Sequence, residues 1–267
     1  MLRFLLIILI FVSQSCSRKF HLSLPDAPTS SMTGSEFYKQ VGAMKWDERE
    51  PIAEKEILSG NVPSFIKQFV PVNVFIKDSE GKIINATYYV SPDYLSIGND
   101  KDWARIPLTP MTAQRIADSL HCFLPTRKMV DDIYLHAAVK LEPVPLFALR
   151  DSAITFWHHH LIIEGQRMDR KGLIAGIKKD VVLSEKVTRD AKSNRVAIYG
   201  WHKPDGKAIQ PLYTGHVDWY VDYSHGIRLV SRNIKVNGTW MDYIDVMKDP
   251  VLKGLLCDEE FCDFFRY

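Results

Sequence analysis

The hydrophobic period of this chain changes twice, and those changes decide which fold class is open to it. Val72, Val74 and Ile76 alternate with Asn73, Phe75 and Lys77, and Ser79-Glu80-Gly81 then turns the chain into Ile83 to Val90. Period two on both sides of a turn is the pattern of a strand hairpin. From Thr109 the period lengthens. Thr109-Pro110 supplies an N-cap and a first-turn proline, and Ala113, Ile116, Ala117, Leu120 and Leu124 follow at helical spacing on one face. Thr126 after Pro125 opens a second such segment through Val130, Ile133, Ala137 and Leu141, which Pro143 and Pro145 bring to an end. Residues 152–168 read equally as helix or strand. Beyond them period two returns, in Val181-Val182-Leu183, in Val196 to Trp201 and in a long run from Leu212 to Val230. Pro204-Asp205-Gly206 is a turn between the last two, with proline presetting one dihedral and glycine supplying a positive φ. The expected class is α+β, an antiparallel-rich mixed sheet in the C-terminal part with packed helices from the middle of the chain.

The N-terminus carries a different message. Arg3 precedes an apolar stretch from Phe4 to about Val12, followed by Ser13-Gln14-Ser15-Cys16. A helix of about nine apolar residues reaches only half of a ~30 Å hydrocarbon core, so the stretch fits a signal-peptide h-region and is too short to span. With a small residue directly before the cysteine, the segment resembles a bacterial lipoprotein signal. That resemblance implies cleavage before Cys16, acylation of Cys16 and an exported, membrane-anchored protein of the bacterial cell envelope; a plain secretory signal cut nearby is the alternative. Residues 16–50, with Pro25, Pro28, Thr29-Ser30-Ser31 and Gly34, read as a lipid-anchored tether holding at most one short helix. Residues 51–267 remain as a single α+β domain.

Composition narrows the partners. The chain is 25% charged with a net charge of +2, and its Lys and Arg residues form no block, which argues against nucleic acid. Of the four cysteines, Cys16, Cys122, Cys257 and Cys262, none forms a C-x-x-C pair, so a zinc knuckle is not expected. Cys257 and Cys262 read equally as a disulfide or as two thiols.

Chemistry concentrates in residues 216–230. As a strand, this stretch places Val217, Trp219, Val221 and Tyr223 on one face, toward the core, and His216, Asp218, Tyr220, Asp222 and Ser224 on the other. Neighbours on the polar face lie about 6.5 Å apart, near enough to share a ligand or a proton, whereas Asp218 and Asp222 at about 13 Å are too distant for a glycosidase pair. Fifteen residues exceed an ordinary strand, so a break is expected near Gly226 that aims His225 at a site. His202, His216, Asp218 and Asp222 are also ligand types for a divalent metal such as zinc, and His202 or His216 can serve Ser224 as a base. Trp201, Trp219, Tyr213 and Tyr220 are candidates for stacking on sugar, although parity assigns Trp219 to the core, and Lys179, in Lys178-Lys179-Asp180, is either a cation for an anionic substrate or part of a solvated loop end. The triplet His158-His159-His160 reads as an interfacial patch or, through His160 and Glu164 at i, i+4, as a ligand pair.

Ser224-His225-Gly226-Ile227-Arg228 resembles the Ser-His-Gly-Cys-Ile/Val-Arg signature of L,D-transpeptidases, wall enzymes whose nucleophile is that cysteine. Here Ile227 follows Gly226 directly, which excludes the cysteine mechanism at this position. The family's upstream histidine has His202 as its nearest counterpart, followed by Lys203 where the family has glycine. Val196 to His202 and His216 to Val230 also resemble segments of uncharacterised exported bacterial proteins. The expectation from these readings is an envelope-anchored hydrolase of cell-wall or extracellular glycan or peptide. His202, His216, Asp218, Asp222, Ser224 and His225 would line one pocket, and Arg228 would pair a substrate carboxylate. The alternative is a non-catalytic surface lipoprotein that binds glycan or an envelope protein.

Overall fold

The computed structural model describes residues 20–267. The expected signal peptide, residues 1–15, and Cys16 lie outside the described residues. The fold is α+β, with the strands in two main sheets.

The larger, seven-stranded sheet is centred on the expected hairpin. Gln68–Lys77 pairs antiparallel with Ile83–Val90, Val72 opposite Tyr88 and Val74 opposite Ala86. Val72, Val74, Ile84, Ala86 and Tyr88 turn inward, while Asn73, Phe75 and Lys77 remain exposed, as period two requires. The sheet then recruits segments from both ends of the chain: Phe20–His21 on one edge, and Val230–Ser231, Cys122–Phe123 and the hairpin Asn233–Val236/Thr239–Asp242 on the other side. The sheet is therefore not confined to the C-terminal part.

The smaller sheet carries the chemistry. Its order is Ala208–Val217, Arg195–His202, Lys179–Val181, His225–Gly226, antiparallel except for the last junction, which is parallel. The Pro204-Asp205-Gly206 turn closes its hairpin, with Gly206 at φ +88° and its N–H donating to the Lys203 carbonyl.

Both expected helices form but are shorter than their apolar periodicity, because Cys122–Phe123 and Val139–Lys140 are strands, which leaves Leu124, Ala137 and Leu141 outside them. Pro110–Ser119 follows Thr109, and Arg127–His136 is capped by Thr126, whose hydroxyl accepts the Met129 N–H. Thr109 spends its side chain elsewhere: its N–H and hydroxyl both donate to the buried Glu50 carboxylate, at 2.7 and 2.6 Å. The ambiguous segment is the helix Ala153–Arg167, capped by Ser152. It buries Phe156, His159, His160 and Ile163 at helical spacing and leaves His158 exposed.

The tether expectation fails from Phe20 onward. Gly34–Val41 and Trp46–Leu58 are helices, and Leu22, Phe37, Val41, Ala53 and Ile57 join the same hydrophobic cluster as Tyr88, Phe123 and Leu256. Each large apolar side chain so buried contributes about 1.5–3 kcal/mol, enough to fold a segment whose prolines and serines suggest a linker. Cys257 and Cys262 are bridged, with Cα atoms 6.2 Å apart.

Candidate functional site

The polar stretch is not one strand. The strand Ala208–Val217 ends at Val217, where the Tyr220 N–H donates back to the Val217 carbonyl. An Asx-type turn follows, with Asp222 Oδ1 accepting the Ser224 N–H at 2.8 Å and the Ser224 hydroxyl at 2.5 Å. The chain re-enters the sheet at His225, so the break lies at 218–224 and precedes Gly226. Beyond Val217 the two-residue alternation is lost. Trp219, expected in the core, is 48% exposed, whereas Val221 and Asp222, neighbours in the chain, are both buried.

The turn nevertheless assembles most of the candidate residues. His225 is completely buried and sits beside Lys179 across the parallel junction. Its ring lies 6.0 Å from those of both His216 and Tyr220, which are 4.6 Å from each other and half-buried above it. Neither ring nitrogen of His225 has a hydrogen-bond partner among the described residues. Asp222, at 0% exposure, receives Ser224 on one oxygen and, on the other, the Arg150 guanidinium at 2.7 Å and the Tyr220 hydroxyl at 3.3 Å. Arg150 comes from the loop ahead of the helix Ala153–Arg167 and stays partly open to solvent.

These neighbours set the charges. Burial works against ionisation of Asp222, yet His225, the two Ser224 hydrogen bonds and Arg150 outweigh it and hold its pKa at about 2. Burial takes His225 down to about 4, against the pull of Asp222, and lowers His216 as well, so both imidazoles are neutral at pH 7. Burial, reinforced by Asp222, raises the Tyr220 phenol to about 12. A neutral imidazole offers one N–H and one lone pair, and a phenol can donate a hydrogen bond. The site therefore presents a base at His216, a hydroxyl at Tyr220 and a cation at Arg150, all around one ionised carboxylate.

Lys178 and Lys179 are not a solvated loop end. Both are buried, Lys179 as the first residue of the strand Lys179–Val181 and Lys178 in the bend before it. The Lys179 ammonium lies 4.9 Å from the centroid of Trp201, and burial lowers its pKa. Trp201 is held at φ +58°, directly after Gly200 at φ +107°, where the strand register with Ala208–Val217 slips. A bulky side chain at positive φ is strained backbone of the kind found at functional positions. Trp201 is nevertheless only 6% exposed and meets the cluster through Lys179 rather than as an open stacking surface. Lys178 bonds the Tyr223 carbonyl and lies 3.2 Å from His159 Nδ1. Burial, with Arg105 adding to it, brings its amine down to about 7.

Three candidates stand apart. His202 is paired with Asp131 at 2.8 Å and stacked on Tyr134, and it faces Ala208 where His216 faces Val196. Six residues of strand, about 20 Å, separate the two positions. Asp218 lines a different cleft, with Trp46, Glu50 and Arg115. Arg228 is 1% exposed and structural: it donates to the Ser91 and Ile174 carbonyls at 2.9 and 2.7 Å and packs on Tyr94, so no substrate carboxylate reaches it. Ser224 is spent on Asp222 and fully buried, which makes it a support for the carboxylate and not a nucleophile. The expected zinc set of His202, His216, Asp218 and Asp222 is thus not assembled, and among the described residues no group of three or more His, Cys, Asp or Glu is placed to hold a metal ion. Sequence reasoning missed Arg150, whose partner is 72 residues away, and gave His159 no connection to Lys178. No family model, no curated protein and no solved structure matches the chain.

Proposed function

We propose that the protein is an envelope-anchored hydrolase acting on a cell-wall or extracellular glycan or peptide. The observation that carries this reading is His225: a fully buried imidazole with neither nitrogen bonded to protein among the described residues, beside an ionised Asp222 and beneath two half-buried rings. A buried polar group without a partner costs about 1–3 kcal/mol. At 0% exposure His225 is as closed to substrate as Arg228, so a water held beneath the His216 and Tyr220 rings is what supplies the missing bond in this reading. In this scheme the His216 imidazole takes a proton as a water oxygen bonds to the scissile carbon. The bond to the leaving group breaks, and the His216 imidazolium returns that proton to it. Asp222 favours the imidazolium, and Arg150 and Lys179 offset negative charge on the substrate.

The address rests on the leader and Cys16, and the Cys257–Cys262 disulfide supports an oxidising compartment. Turnover of wall fragments, extracellular glycans and peptides by wild type and His216→Ala tests the chemistry. The expected result is a loss of about 100-fold in kcat with an unchanged fold by circular dichroism. Equal turnover removes His216 from the mechanism. Absence of turnover by wild type on every class favours the non-catalytic glycan- or protein-binding lipoprotein.

A further inference from the structure

Beside the His216–His225 cluster lies a cleft of about 480 Å³ whose wall includes Tyr220, the residue that also covers His225. That volume falls within the range of small-molecule sites. A second cleft of about 330 Å³ adjoins it, and Trp46 and Trp219 line both, so the two indoles stand on the ridge between them. They are 38% and 48% exposed, the kind of aromatic surface on which a sugar ring stacks.

The larger cleft contains a second, independent feature. Arg49 is only 6% exposed and lies one helical turn after Trp46, on the same face. Its guanidinium packs on the Phe156 ring and donates through Nη1 to the Asp151 carbonyl, but Nε has no partner and it forms no ion pair among the described residues. Glu50 and Asp151 act on it through space without pairing, and burial still dominates and lowers its pKa, so a planar guanidinium fork remains open to a ligand carboxylate. The ionisable lining separates by sign: Lys45 and Arg49 against Asp151 in the larger cleft, Asp47, Glu50 and Asp218 against Arg115 in the smaller. An anionic group is therefore favoured in the first and repelled from the second.

We propose that the larger cleft, walled by Trp46, Trp219 and Arg49, is a subsite for a carboxylated pyranose, with the sugar stacked on indole and its carboxylate paired with Arg49. The inference rests on the hydrolase reading only in taking this sugar to be part of the substrate. The carboxylate can be uronic or a lactyl ether on a wall sugar, and the test separates them. Calorimetry on the full mature chain would use a galacturonic acid tetrasaccharide, its methyl ester, and an N-acetylglucosamine–N-acetylmuramic acid disaccharide with its methyl ester. At least one free acid is expected to bind about tenfold or more tighter than its own ester, and which one does identifies the source. Trp219→Ala, at an exposed position, is expected to weaken that binding about tenfold with Tm unchanged, and Arg49→Lys to erode the preference for acid over ester. Equal affinity for acid and ester, no binding of either acid, or full affinity in Trp219→Ala overturns the subsite. Binding without turnover overturns the hydrolase and leaves the subsite standing, whereas turnover without preference for acid does the reverse.

Discussion

Two buried polar clusters lie on either side of the Lys178–His159 contact, and they treat their charges differently. In one, Arg105, at 1% exposure, donates from Nε and Nη2 to Asp93 at 2.9 and 2.6 Å and meets Glu164 at 2.8 Å. His160 completes it, 3.4 Å from the same guanidinium, so His160 and Glu164, which suggested a metal pair, share an arginine instead. In the other, Asp222 is as deeply buried as Asp93, but its arginine stays partly in solvent and the adjacent His225 is left without bonds to protein. Burial alone does not mark a site. A buried cation and its carboxylates paired with each other hold the fold, whereas buried groups left unpaired by the protein keep hydrogen-bonding capacity in reserve.

The largest expected effect belongs to the sealed cluster. Arg105→Met strands the Asp93 carboxylate and is expected to cost about 5 kcal/mol in urea unfolding; a loss below about 1 kcal/mol would show that the pairing does not organise the core. Next is the lysine between the clusters. With a folded pKa of about 7 against an ordinary 10.5, the native state binds fewer protons than the unfolded chain between those values, so stability rises with pH across that window and the full penalty applies below it. Lys178→Met is expected to gain about 4 kcal/mol at pH 7 and to flatten the rise, and a slope shared by both proteins would refute a neutralised amine. Asp222 has the opposite form. Its pKa is depressed from 3.8 to about 2, so its contribution is present above 3.8 and disappears as pH falls through 2. Asp222→Asn is expected to lose about 2 kcal/mol at pH 7 and that acid limb, as read by thermal melts from pH 1.5 to 5. Smallest is Asp218→Ala, outside both clusters, which is expected to change stability by less than about 0.5 kcal/mol and His216-dependent turnover by less than twofold. A larger loss of turnover would return Asp218 to the site.

What the sequence determined by itself was local. The hairpin around Gly81, the starts at Thr109-Pro110 and Thr126, and the Pro204-Asp205-Gly206 turn follow from periodicity, capping and dihedral preference, which act over a few residues and need no partner. His216, Tyr220, Asp222 and His225 were legible because they crowd into ten positions, although the geometry that joins them is an Asx-type turn rather than the pleat of one strand. Tertiary structure alone decided the rest. It packed residues 20–58 onto the core, placed His202 at the far end of its strand, sealed Arg228 against backbone carbonyls, brought Arg150 to Asp222 and left Arg49 with no ion pair among the described residues, near two exposed indoles. The physical reason is that hydrogen bonding and desolvation of a side chain depend on which groups close around it in space, and for these residues those groups come from distant parts of the chain.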